Sequence, residues 1–441
     1  MVVTIVVLLI LAGVSISLIV DNNGIIKRSK DARNKYGEAK DNEQADLNKV
    51  SEWIDNQVGE NGGTSKPIKV GVDEKATSNG TINGEEGNSN NPTIPEGYTP
   101  INTTTSNWGD GNSSPTQDSV DHGLVIRDDN NNEWVWIPVP DVTVMCDTSN
   151  KTEYTLCGTE GETAVKTKLY SKTITIGTDT NKETMTRTMP GTTSDFREPD
   201  LVVGSDGASY DAKEEYYKTI LGFASKEKMA EAFVADYNEM IASIEKYGGF
   251  YIGRYELSSV GVQKDKATLT NTNWYNLYKK CKELNASEKV ETRMIWGCQW
   301  DVTCNFIANK GEQKSIADSR SWGNYSNSTG NAAVKVTENG TETNKYGSKQ
   351  NTGYSEYWKA NNIYDLAGNC HEWTQEAVVT SSRACRGGNY YYDLGPGDPV
   401  SIRDGGDPDN GYGYRRFSSH FNNKVALNSR AWAPEWRIII K

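Results

Sequence analysis

Histidine is nearly absent from this chain: His122, His371 and His420 are the only three in 441 residues. The seven cysteines, at positions 146, 157, 281, 298, 304, 370 and 385, form no Cys-x-x-Cys pair. These two shortages argue against a zinc site, which needs four clustered Cys or His ligands. Basic charge is also short. Lys and Arg number 47 against 59 Asp and Glu, giving a net charge of −12 and a pI near 5.0. Nucleic-acid binding that ignores sequence requires a dense basic footprint, so nucleic acid is not an expected partner. Hydrophobic residues make up 35% of the chain, below the globular norm. The cysteine spacing leaves Cys146/Cys157 and Cys370/Cys385 as pairs that an oxidising compartment would allow to close, and it forces neither.

The hydrophobic shortage is local. Residues 1–20, MVVTIVVLLILAGVSISLIV, are apolar except for Thr4, Gly13, Ser15 and Ser17. About 20 helical residues rise roughly 30 Å, the thickness of a bilayer core, so this segment is expected to sit in a membrane. A secretory signal would begin with basic residues, but here they come only afterwards, at Lys27, Arg28, Lys30, Arg33 and Lys35. From Asn22 to Gln57 apolar residues recur at helical spacing on a polar background. An apolar helix running into an amphipathic one resembles the spine of type IV pilin-like proteins, in a form similar to those of Gram-positive bacteria. The basic leader and early glutamate of that pattern are missing, which leads us to expect a start upstream of Met1. Residues 58–120 (GENGGTSKP, SNGTINGEEGNSNNP, TTTSNWGDGNSSPTQDS) have little to bury and read as a flexible linker, with a short ordered piece at IPEGY.

From about residue 121 the pattern becomes globular. LVIRDDNNNEWVWIPVP predicts two strands joined by an Asp/Asn turn, and residues 146–210 an insertion with strand-like bursts. SKEKMAEAFVADYNEMIASIEKY predicts a helix capped by Ser225 and ended by Gly248–Gly249. A strand at GGFYIGRYELS, a helix at TNTNWYNLYKKCKELN and a helix after ETRMIW follow, then a Gly/Asn/Ser-rich loop over 309–352. The terminal EWRIIIK predicts a last strand. Short strands with a few helices indicate an α+β domain.

An ordered set of motifs carries this further. Trp136-Ile137-Pro138, Phe250 to Glu256 (FYIGRYE), Asn273-Trp274-Tyr275 and Arg293-Met294 through Gln299-Trp300 come first. Asn362 to Asn369 (NIYDLAGN) with Glu372-Trp373-Thr374, Arg386-Gly387-Gly388 and Trp436-Arg437-Ile438 follow. Together they resemble the formylglycine-generating-enzyme (sulfatase-modifying factor) family over residues 121–441. The departures are His371 where the family has Trp, Asn389 where it has Ser, and Trp436 where it has Phe. The resemblance implies a C-type-lectin-like fold behind a long N-terminal α-helix. It also implies that Asp365, Gly368, Asn369, Glu372, Trp373, Arg386, Gly387, Gly388, Arg403, Trp436 and Arg437 support the structure rather than perform chemistry. Enzymatic members place two cysteines after the Arg-Gly-Gly motif; here Asn389-Tyr390-Tyr391-Tyr392-Asp393 follows, and no later cysteine exists. Iron-dependent relatives need a histidine cluster, for which three scattered histidines do not suffice. No catalytic residue, metal ligand or cofactor is therefore expected. Structural calcium is compatible with the family but has no motif here. Cys298 and Cys304, six apart on a predicted helix, do not share a face and read as core residues.

Residues 377–423 contain no Lys, Glu, Gln, Met or Trp, although about nine would be expected from the whole chain. Those five are the types that a codon ending in a pyrimidine cannot encode. Such a depletion resembles adenine-directed randomisation of Asn codons in the variable proteins of diversity-generating retroelements, which place the variable segment at the C-terminus of a lectin fold. The content also suits recognition. Tyr390, Tyr391, Tyr392, Tyr412, Tyr414, Phe421 and Trp432 offer rigid contact area. Asn389, Asn410, Asn422, Asn423, Asp393, Asp404, Asp407, Asp409 and His420 supply adaptable hydrogen bonds. The expectation is a tether over 1–57, a linker over 58–120 and a binding domain over 121–441. Its recognition surface falls near 389–432, and its ligand is a protein or glycan on another cell, host or phage surface. An altered formylglycine-type oxidase and a structural minor pilin are the alternatives.

Overall fold

In a computed structural model the chain divides into two units, residues 1–66 and 67–441. The structure describes residues 67–101, 120–145, 214–284, 290–378, 382–391, 399–406 and 408, with several short strands between and after them. The expected membrane helix and the terminal strand EWRIIIK lie outside the described residues. No helix among the described residues is long and apolar enough to cross a membrane.

The described part is mixed α and β, built on two sheets. The larger has six strands in the order Val290–Met294, Val425–Ser429, Gly249–Gly253, Glu133–Pro138, Val125–Arg127, Thr99–Pro100, each antiparallel to its neighbour. Both of its faces are buried, which follows from the two-residue side-chain period of a strand. Ile126, Trp134, Trp136 and Tyr251 enter one apolar cluster. Val125, Val135, Ile137, Phe250 and Ile252 enter the other. The predicted Asp/Asn turn forms between the two first strands of this hairpin: Asp128 Oδ1 accepts from the Asn130 and Asn132 amides at 2.9 Å, with Asn131 at φ 62°.

Among the described residues three α-helices pack around the sheets. Lys226–Tyr247 starts where expected, with Ser225 Oγ accepting from Lys228 N, and ends at Gly248 in the left-handed region at φ 73°. Trp274–Lys282 is capped by Asn273 Oδ1. Gly297–Asn309 is buried on nearly every side, and Cys298 and Cys304 are both buried within it. Cys281, Cys370 and Cys385 are also buried, and the candidate bridge Cys370/Cys385 is not formed.

The linker assignment needs correction over residues 67–101. Short strands at Ile68–Lys69, Gly80–Thr81 and Thr93–Ile94 form a small sheet, and Val70, Ala76, Ile82, Ile94 and Tyr98 join the core. Polar groups lock the segment in place: Trp136 Nε1 donates to Ser89 O at 2.9 Å, and Tyr251 Oη to Thr93 O at 3.0 Å. A handful of apolar side chains suffices because they fill gaps in a surface made by residues far along the chain. The Gly/Asn/Ser-rich loop over 309–352 likewise contains an exposed hairpin, Lys335–Glu338 with Thr341–Asn344. The insertion's strand-like bursts form the antiparallel pairs Lys151–Cys157 with Val165–Tyr170, and Lys172–Ile176 with Glu183–Arg187.

Candidate functional site

The second sheet carries the region of interest. Phe196–Arg197, His371–Val378, Ser382–Arg386 and Asp404–Gly406 pair antiparallel in that order, and Phe421–Asn422 runs parallel to the start of His371–Val378. This topology brings the Asn369 turn, the Arg386-Gly387-Gly388 turn and the segment 399–408 together.

Beneath them is a buried ion cluster. Arg386 and Asp301 are both fully buried, and Arg386 Nη2 donates to Asp301 Oδ1 at 2.9 Å and to Ser401 O at 3.2 Å. Arg403 donates to Asp301 Oδ2 at 2.8 Å and to Glu376 Oε2 at 3.1 Å. Two guanidinium groups thus face two carboxylates. A buried charge is tolerable only when paired in this way. A third carboxylate, Glu198, accepts from the Gly297 and Cys298 amides at the N-terminus of Gly297–Asn309, where the helix dipole favours negative charge. Arg386 and Arg403, named in the sequence as support residues, both lie in this cluster.

A hydrogen-bond network centred on the Glu256 carboxylate holds the neighbouring turn. Glu256 Oε2 accepts from Asn369 Nδ2 at 2.6 Å and from Thr268 Oγ1 at 3.0 Å, and Glu256 Oε1 from Cys370 N at 3.1 Å. Asn369 Oδ1 accepts from Asn324 Nδ2 and Gln350 N, both at 3.0 Å. Asp365 Oδ2 accepts from Gly353 N at 2.6 Å. Asp365, Gly368 and Asn369 all have positive φ, at 55°, 75° and 56°. At Gly368 a side chain would overlap the Asn324 backbone, and at Gly387 (φ 89°) it would meet the Glu372 carboxylate and Leu366 O. Gly388 shares the left-handed conformation at φ 74°. Glu372, Trp373 and His371 are buried beside these turns.

The Cys370 thiol lies under the same turns. Burial, then the Glu256 carboxylate, push it well above the ordinary thiol range, so it is held as a neutral thiol. Burial also raises the Tyr390 phenol. Among the described residues no group of three or more His, Cys, Asp or Glu is placed to hold a metal ion.

Several expected contact residues are placed differently. Asn389 is fully buried and faces inward, with its Oδ1 accepting from Tyr391 N at 2.8 Å. Tyr390 is half-buried and Tyr391 is 62% exposed, their rings edge to face at 6.5 Å. Asp404 and Phe421–Asn422 lie in strands of the second sheet. Tyr392, Asp393, Asp407, Asp409, Asn410, Tyr412, Tyr414, His420, Asn423 and Trp432 lie outside the described residues, as do the support candidates Trp436 and Arg437.

The stretch expected to form the surface is also pegged from within. Val400 N donates to Ser319 Oγ at 2.8 Å, and Val400 O accepts from Trp300 Nε1 at 2.9 Å. Gly406 has no room for a side chain against the Trp373 ring, and Pro408 O accepts from Trp274 N at 3.1 Å. Residues 425–429 are a strand inside the six-stranded sheet, with Leu427 opposite both Tyr251 and Thr292. The backbone of that part of the expected surface is paired along both of its edges. Sequence reasoning also missed Glu198, Asp301 and Glu376, which anchor this region from distant positions and carry no local motif. No family model matches the chain, and no curated protein matches it at a significant level.

Proposed function

We propose that this chain is a surface-displayed binding protein whose C-terminal domain has a formylglycine-generating-enzyme-like, C-type-lectin-type fold and presents a diversified face. Residues 1–20 would tether it to a membrane or pilus, and its partner would be a protein or glycan on another cell, host or phage surface. The observation that carries the reading is the absence of Lys, Glu, Gln, Met and Trp across residues 377–423. Selection for an ordinary Gly/Asp-rich loop has no reason to remove those five types together, whereas codons restricted to a pyrimidine third base remove them without exception. Physical support comes from the scaffold. Arg386, Asp301, Glu376 and Arg403 fix the base of this stretch in a buried ion cluster, while Tyr391 stands 62% exposed above it. A rigid base under an exposed tyrosine is the arrangement that keeps the entropy cost of recognition low.

Sequencing the flanking DNA tests the reading directly. The expected result is a neighbouring reverse-transcriptase gene and a near-copy of the region encoding 385–441 that differs at adenines. A locus without either would remove the diversification claim and leave a binding domain to be tested by glycan and protein arrays.

A further inference from the structure

We propose that Asn389 is a positioning residue that fixes Tyr391 on the exposed face, an inference that rests on the binding function proposed above for its consequence. The sequence offered Asn389 as a contact residue, but it is fully buried and no ligand reaches it. Its Oδ1 instead accepts the Tyr391 amide at 2.8 Å, closing an Asx turn in which a side chain stands in for a backbone carbonyl. The neighbouring amide is held as well: Tyr390 N donates to Asn369 O at 3.2 Å, and Asn369 is locked by Glu256, Asn324 and Gln350. Gly368 N donates to Gly387 O at 2.7 Å and Tyr325 Oη to the same oxygen at 3.0 Å, so the turn preceding Asn389 is rigid. Successive amides at 390 and 391 therefore have fixed acceptors. The backbone that carries the Tyr391 ring is thus held by buried acceptors.

Asn389 Nδ2 is the other half of the argument. It is buried and makes no hydrogen bond among the described residues. A side chain kept only for stability would not leave a buried donor unmade, since that costs about 1–3 kcal/mol. The acceptor atom is the useful half, and its partner is the amide of the exposed tyrosine. An apolar residue of the same shape removes the idle donor and also takes the acceptor from the Tyr391 amide, so its effect on Tyr391 is direct.

The test uses the full chain with trifluoromethyl-phenylalanine in place of Tyr391, and separately in place of Tyr357 as a control, read by fluorine nuclear magnetic resonance. Tyr357 is 53% exposed and distant in sequence from the turn. In Asn389→Leu the 391 resonance is expected to move more than halfway toward its position in denaturant, with the 357 resonance unmoved. Asn389→Ser, whose hydroxyl can still accept the amide, is expected to restore the parent position. A 391 resonance unchanged in a folded Asn389→Leu chain would overturn the inference. So would a lower melting temperature with no movement at 391, the mark of a merely structural role. If Asn389→Leu fails to fold, shown by collapse of the 357 resonance, Asn389→Ala is judged by the same criteria. No ligand enters the measurement, so failure of the binding reading and failure of this inference are separate results.

Discussion

Replacing Arg386 by Met tests whether the buried ion cluster is the base of the C-terminal region. Arg386 has no solvent exposure and balances Asp301 at 2.9 Å and Glu376 at 3.7 Å, while Arg403 is the other cation present. Methionine keeps much of the volume and removes the charge. Two buried carboxylates then face one guanidinium, and Ser401 O loses its donor. Breaking one partner out of a buried pair costs about 3–5 kcal/mol. The unit from Pro67 to Lys441 has an unfolding entropy of roughly 0.8 kcal/mol per kelvin at typical per-residue values, so the melting temperature should fall by about 4–6 °C. Differential scanning calorimetry and urea melts read the loss. Adding Asp301→Asn to Arg386→Met restores the charge balance between Glu376 and Arg403 and should recover more than half of it. A single-variant cost below about 1 kcal/mol, or strict additivity in the double variant, would refute the claim that these groups form one coupled unit.

Three further outcomes follow from the geometry. Gly368→Ala must adopt φ 75° and overlap Asn324, and should destabilise by about 1–3 kcal/mol or more, whereas Gly340→Ala, also at positive φ but in open space, should cost no more than the backbone strain; urea melts compare them. Burial works to raise the Glu356 carboxyl, but donors from Tyr364, Lys359 and Lys264 outweigh it and hold it at about 2 against an ordinary 4.5. Because the unfolded chain binds the proton more readily, this stability is complete above about pH 4.5 and disappears as pH falls toward about 2. Exposure limits the effect to roughly 1 kcal/mol, and Glu356→Gln should flatten the melting temperature against pH across that window. Cys281, Cys298, Cys304, Cys370 and Cys385 are buried thiols and should resist iodoacetamide in the folded chain and label fully in denaturant, as read by peptide mass spectrometry.

Local chemistry made much of the fold legible. The Ser225 cap, the Gly248 stop and the Asn273 cap are decided within four residues of the helix they bound, so sequence spacing reveals them. The alternation of Trp134, Val135, Trp136 and Ile137 announces a strand buried on both faces once each set has a core to enter. Gly387, Gly388, Asp365, Gly368 and Asn369 take left-handed backbone, a conformation that restricts residue type and so leaves a mark in the sequence.

What the sequence by itself determined was the set of short-range elements and the composition of the 377–423 stretch. Only the tertiary structure decided which way those residues face. Asn389 looks like a contact residue by type, and it turns inward because a fixed turn delivers the Tyr391 amide to its oxygen. Residues 67–101 look like a coil by composition, and they are ordered because Trp136 and Tyr251 supply hydrogen-bond donors to their carbonyls. Glu198 meets the Gly297 helix from about a hundred positions away, and Asp301 meets Arg386 across 85. Such pairs carry no local signature, because burial and charge balance are settled only when distant segments close around them.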